Sequence, residues 1–136
     1  KGLIKNGKKE GIWMYYYDNG GLAEKGIYKN GRREGTWHAC TIVDGNLWKT
    51  GNYKEGMKEG IWYTYSIGVE DKNIVRWEIN YNKNQKDGTF KRYFGNSKID
   101  LEGKCKDGKK YGDWKKYLFE GGLSYTKNYK DKDVLC

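Results

Sequence analysis

Asn30-Gly31-Arg32-Arg33-Glu34-Gly35-Thr36-Trp37 is the stretch that decides the fold, because the chain repeats it. Close copies are Asn6-Gly7-Lys8-Lys9-Glu10-Gly11-Ile12-Trp13, Glu55-Gly56-Met57-Lys58-Glu59-Gly60-Ile61-Trp62 and Asp107-Gly108-Lys109-Lys110-Tyr111-Gly112-Asp113-Trp114. A weaker copy is Lys83-Asn84-Gln85-Lys86-Asp87-Gly88-Thr89-Phe90. The closing glycines fall at 11, 35, 60, 88 and 112, at intervals of 24, 25, 28 and 24 residues. A period of this size marks a tandem array in which each unit is one supersecondary element stacked on the next. The 136 residues then form one repeat domain, with units at about 1–21, 22–45, 46–73, 74–97 and 98–122 and a partial unit at 123–136.

Within a unit, Asn30-Gly31 is a strong hairpin signal, since a type I′ turn needs positive φ at both central residues. A two-residue turn sets Lys29 opposite Arg32, Tyr28 opposite Arg33, Gly26 opposite Gly35 and Glu24 opposite Trp37. Read the same way, Asn19-Gly20 sets Tyr17 opposite Leu22 and Trp13 opposite Gly26. Trp13 and Trp37 then flank Gly26, where an indole can lie across a residue with no side chain. Successive side chains in a strand alternate between faces. Alternation gathers Leu22, Gly26, Tyr28 and Trp37 on one face and sends Trp48 to the other, together with its equivalents Ala23, Arg76, Asp100 and Ser124. A second column, Tyr16, Cys40, Tyr65, Tyr93 and Tyr117, follows each Trp or Phe by three residues. Alternation puts it opposite the tryptophans, whereas a bulge in each repeat would bring it back; the sequence leaves both open. The second repeat has one extra residue near Asp44-Gly45, which predicts a bulge or a three-residue turn there.

Only 36% of the residues are hydrophobic but 16% are aromatic, so the core has to be built from Trp and Tyr. Zero prolines and twenty glycines suit a continuous sheet with tight turns. The net charge of +9 suits anionic partners, and equally suits plain solubility of a thin sheet. The three cysteines show no CxxC spacing, which argues against a disulfide framework or a zinc site. Cys40 and Cys105 stand where other units carry tyrosine and are read as packed strand residues, with Cys136 as a free terminal thiol. His38, the single histidine, has no constellation around it. There is no apolar run of membrane-span length and no signal peptide. The chain opens at Lys1, inside a repeat and without an initiator methionine. That predicts a missing natural N-terminus and leaves a lean toward the cell envelope or secretion.

No catalytic, metal-binding or cofactor-binding set is expected. Glu10, Glu34, Glu59 and Asp87 recur at repeat spacing beside Lys or Arg and read as exposed ion pairs. A glycosidase needs two carboxylates facing a cleft, and an open ribbon offers none. Asn-Gly-Lys-Lys is not a phosphate loop, because a strand rather than a helix follows. The turns also repeat Lys8, Lys9, Arg32, Arg33, Lys58, Lys86, Lys109 and Lys110, which stacked hairpins would line along one basic edge.

The run Gly26-Ile27-Tyr28-Lys29-Asn30-Gly31-Arg32-Arg33-Glu34-Gly35-Thr36-Trp37, followed by Asp44-Gly45, resembles the bacterial variant of the MORN repeat. The resemblance covers nearly the whole chain, and departs from the pattern at Asn84-Gln85, Phe90 and Lys127. It implies an all-β, elongated single-layer antiparallel sheet of tandem hairpins, twisted and curved. It also implies a non-catalytic module for protein or phospholipid contact, some bacterial members being labelled antitoxin-like.

The expected function is accordingly a scaffold for a protein partner, with an anionic membrane surface as the alternative. Self-association is a further outcome, and nucleic acid is disfavoured. The partner surface is placed on residues that break the pattern: Trp48, joined by Tyr16, Tyr65, Tyr93 and Tyr117. Its edge is the third unit's insertion, Gly68, Val69, Glu70, Asp71, Lys72 and Asn73.

Overall fold

The computed structural model describes residues 1–67, 74–130 and 133–136. It contains eleven strands: β1 (Gly2–Lys5), β2 (Lys8–Tyr16), β3 (Leu22–Lys29), β4 (Arg32–Cys40), β5 (Leu47–Lys54), β6 (Met57–Tyr65), β7 (Val75–Asn82), β8 (Gln85–Tyr93), β9 (Ile99–Lys106), β10 (Lys109–Tyr117) and β11 (Leu123–Asn128). They form one open antiparallel sheet whose order follows the chain from β1 to β11. The fold is therefore a sheet of consecutive hairpins, two strands per repeat, as the period requires.

The turn chemistry explains the register. Asn30 and Gly31 have φ of 51° and 78°, and Lys29 pairs with Arg32. The fourth unit lacks Asn-Gly, and its two-residue turn is Lys83-Asn84, both at positive φ, with Asn82 opposite Gln85. The turn at Asn19 differs from the expectation. Asn19 Oδ1 accepts from the Gly21 amide at 2.9 Å, and Tyr17 N donates to Gly21 O at 2.8 Å, so three residues span the turn. Tyr16, rather than Tyr17, faces Leu22. The extra residue of the second repeat lies in a four-residue turn, closed by Thr41 N donating to Asn46 O.

Two bulges per unit set the faces. Between the pairs Ile27–Glu34 and Lys25–His38 one residue of β3 faces three of β4. Gly35, at φ 66°, absorbs the excess. Gly26 thus lies against Trp37 and not against Gly35, and Glu24 faces Ala39 and not Trp37. The shift is two residues, so the predicted face survives. A Cβ built on Gly26 would come within 2.1 Å of the indole, and the same holds for Gly51 under Trp62. The indole also bonds the backbone beside the bulge: Trp37 Nε1 donates to Ile27 O and Trp62 Nε1 to Asn52 O, both at 3.1 Å.

The second bulge falls in the odd-numbered strands. Ala39–Lys49 is followed by Cys40–Leu47, leaving Trp48 unpaired; Arg92–Leu101 is followed by Tyr93–Ile99, leaving Asp100 unpaired. The bulge lies across from the tyrosine column and not in it. Alternation therefore holds along β8 and β10, and Tyr93 and Tyr117 sit opposite the aromatic core.

That core is a row of rings on one face. Tyr28 meets Trp37, and Tyr53 meets Trp62, edge-on at 5.1 Å. Trp37 and Trp114 are each only 2% exposed. Such burial on a single sheet is possible because cations and tyrosines of neighbouring strands roof the indoles.

The repeated carboxylates are not ion pairs in the described residues. Glu10, Glu34, Glu59 and Asp87 accept from the backbone amides of Asn30, Glu55, Lys83 and Asp107, at 2.8, 2.9, 3.1 and 3.1 Å. Each carboxylate holds the first residue of the next turn, so consecutive hairpins are tied at their tips. Glu34→Ala should cost about 1 kcal/mol, as loss of a comparable side-chain cap on a backbone amide does. Chemical denaturation together with amide exchange at Glu55 checks this; unchanged exchange there would show that the bond contributes nothing.

The cysteine expectation is corrected at one residue pair. Cys136 is bonded to Cys105 as a disulfide spanning 31 residues, while Cys40 is free and buried. Spacing gave no sign of it, because the tail folds back on the array: Lys110 N donates to Val134 O at 2.7 Å and Cys136 N to Gly108 O at 2.9 Å.

Candidate functional site

The eight residues of the expected basic edge separate into two sets. Lys9, Arg33, Lys58, Lys86 and Lys110 point onto the aromatic face. Their charges stand 5.0, 4.1, 4.8, 5.8 and 4.7 Å from the rings of Trp13, Trp37, Trp62, Phe90 and Trp114. They are part of the core's roof. Lys8, Arg32 and Lys109 stand one residue earlier and stay exposed, but Met57 and Gln85 interrupt that row. Lys109 is further paired with Asp133 at 2.6 Å. No continuous basic edge results.

The pattern-breaking aromatics do not converge either. Tyr93 Oη donates to Glu78 at 2.9 Å and Tyr117 Oη to Glu102 at 2.7 Å, both on the face away from the tryptophans. Burial first and Glu78 second push the Tyr93 phenol up to about 12, so it keeps its donor proton. Tyr65 is half-buried, and burial raises its phenol as well. Tyr16, about half exposed, reaches Met14 Sδ at 3.2 Å. Trp48, expected on this face, lies on the other one: it lines a hollow with Trp37, Tyr53 and Trp62. As the unpaired residue of a bulge it escapes strict alternation. The inserted segment from Gly68 to Asn73 falls outside the described residues. His38 Nδ1 meets Thr50 Oγ1 at 3.0 Å.

The hollow, about 150 Å³, has a cause in the sequence. Ala39 stands two residues after its Trp, where other units carry Tyr15, Thr64, Arg92 and Lys116. The missing bulk opens a gap, walled by Trp48 and floored by Trp37 and Trp62. Its charged rim consists of Glu24, Arg33, Lys49 and Lys58.

Two successive units differ on that rim. In the first, Glu24 takes the Arg33 guanidinium with two hydrogen bonds of 3.2 and 3.0 Å, and Arg33 lies over Trp37. Burial opposes the charge on Arg33, but the Glu24 bonds outweigh it and raise its pKa. In the next unit, Lys49 stands where Glu24 would, and Lys58 where Arg33 would. Their ammoniums lie 5.7 and 4.8 Å from the Trp62 ring, and among the described residues neither has a carboxylate in ion-pair range. Burial, then Lys49 and finally Lys86, pull Lys58 down to about 8 from an ordinary 10.5.

This depression sets a pH dependence. Between pH about 8 and 10.5 the unfolded chain keeps a proton on Lys58 that the folded chain has released, so stability rises with pH in that window. The groups facing Lys58 are Lys49 on β5, Tyr81 on β7 and Lys86 on β8, with Arg33 and Glu24 beyond the hollow. The denaturation midpoint should climb from pH about 7.5 to about 9.5, below the tyrosine range. Lys58→Met should flatten the climb. A wild-type profile that is flat or falls would show that Lys58 titrates normally.

A second charged cluster also went unread. Asp100, 8% exposed, is held by Arg92 at 2.6 Å and by Lys116. Comparison of equivalent positions offers the signal for both, since Glu24, Lys49 and Leu101 occupy one repeat position and Trp48 and Asp100 another. Compared with known proteins, the chain matches no family model and no curated protein.

Proposed function

We propose that this chain is a non-enzymatic repeat scaffold of the MORN-like kind, which binds a protein partner on its aromatic face. The observation that carries the reading is the hollow beside Trp48: aromatic walls, a half-buried indole on a bulge and two lysines that, among the described residues, have no carboxylate in ion-pair range. Interfaces favour such aromatic anchors with polar rims. The alternative, docking on anionic lipid through a basic turn edge, has less support, because Lys9, Arg33, Lys58, Lys86 and Lys110 are engaged over rings. The Cys105–Cys136 bond fits an oxidising compartment such as a cell envelope or the exterior.

The test is affinity capture from the native source with wild type and Trp48→Ala, beside co-sedimentation with anionic vesicles. A protein captured by wild type and lost with Trp48→Ala supports the scaffold. Salt-sensitive vesicle binding with no Trp48-dependent capture replaces it by the membrane reading.

A further inference from the structure

Lys49 and Lys58 form a vacancy that the preceding unit fills from within the chain. Glu24 places its carboxylate on Arg33 above Trp37; one repeat on, the carboxylate is replaced by Lys49 while the cation and the indole remain. The geometry for holding a carboxylate is therefore built and displayed once, and is then repeated with two positive charges that, among the described residues, have no carboxylate in ion-pair range. The site is half-buried, and burial first, then the charge of Lys49, lowers the proton affinity of Lys58.

Resting on the scaffold reading, we infer that Lys49 and Lys58 receive a glutamate or aspartate side chain of an acidic segment in the protein partner. The carboxylate sits between the two ammoniums over Trp62, and the chain bearing it lies against Trp48. Ala39 and the bulge at Trp48 leave the space, and the repeat periodicity supplies the orientation. Bringing in an opposite charge relieves the lysine pair, so binding raises the Lys58 pKa and takes up protons at alkaline pH.

The experiment titrates the full chain with acetyl-capped, amidated hexaglutamate, using hexaglutamine and inorganic phosphate as comparison ligands. Tryptophan fluorescence and the side-chain resonances of Lys49 and Lys58 report binding. Hexaglutamate is expected to bind and shift both lysines. Lys49→Glu recreates the internal pair of Glu24 and Arg33; it should raise the thermal midpoint and weaken hexaglutamate at least about tenfold. Lys25→Glu makes the same charge change on an exposed site of the opposite face and should leave affinity within about twofold. Equal weakening by both variants, equal binding of hexaglutamine, or unmoved lysine resonances would each overturn the site. Phosphate competing as well as hexaglutamate would reduce it to unselective anion binding and overturn the carboxylate assignment. A partner whose capture survives Lys49→Glu but not Trp48→Ala would leave the scaffold standing and remove the acidic anchor alone.

Discussion

Trp37→Ala is expected to lower the stability of the array by about 3–5 kcal/mol, the range for removing a large buried aromatic. The reason is specific to the site. Trp37 is 2% exposed and covers Gly26; it meets Tyr28 edge-on at 5.1 Å and carries Arg33 at 4.1 Å. Its Nε1 also donates to Ile27 O, beside the bulge in the ladder. Trp37→Phe keeps most of the ring and loses that bond, which should cost about 0.5–1.5 kcal/mol, the net contribution of one hydrogen bond. Denaturant titration of both variants checks the order. If Trp37→Ala keeps wild-type stability and loses partner capture, the aromatic face is a binding surface alone and its structural role falls.

The fourth unit already contains that substitution, with a compensation. Phe90 replaces Trp, and Ile79 replaces the glycine it would have covered, the two facing each other in register. Trp goes with Gly at Gly2 and Trp13, Gly26 and Trp37, Gly51 and Trp62, and Gly103 and Trp114. A ring over a bare backbone and an aliphatic side chain under a smaller ring fill the same space.

Period, hairpin turns and the tryptophan face were legible because each depends on residues that recur at fixed offsets. Asn30-Gly31 dictates its own backbone, and so fixes the pairs next to it. Legibility ended where the backbone departs from alternation. No residue type announces that Trp48 and Asp100 are bulged, and counting pairs outward from a turn then misplaces Trp48 on the wrong face. The carboxylates were misread for a related reason. Glu34 neighbours Arg33 in sequence, but its partner is the amide of Glu55, one hairpin further on. Local order suggested an ion pair within a turn, whereas stacking put a backbone donor within closer reach. The lysine pair was readable in principle, by aligning Glu24 with Lys49, but only once the strands were known to bring those positions against Arg33 and Lys58. Cys136 was unreadable by repeat logic, since it lies past the last periodic residue.

Reduction of the Cys105–Cys136 bond should destabilise one end of the array and leave the other intact. The bond closes a loop of 31 residues, for which the chain-entropy account gives about 3–4 kcal/mol. Packing adds to it, because Cys136 completes a cluster of Phe90, Cys105, Trp114 and Tyr129. The tail is also held by Lys86 Nζ donating to Cys136 O at 3.2 Å. In a linear array each unit touches only its neighbours, so a local loss stays local instead of unfolding the whole. Amide exchange after reduction, or in Cys136→Ser, should accelerate in β9, β10 and β11. It should be unchanged in β2, β3 and β4, whose own cluster of Trp13, Tyr28 and Trp37 is separate. Cys40 does not confuse the measurement, being a buried thiol with no bond to reduce. Uniform acceleration along the chain would mean the array unfolds as one cooperative body. No acceleration would mean the backbone bonds of Val134 and Cys136 hold the tail without the sulfurs.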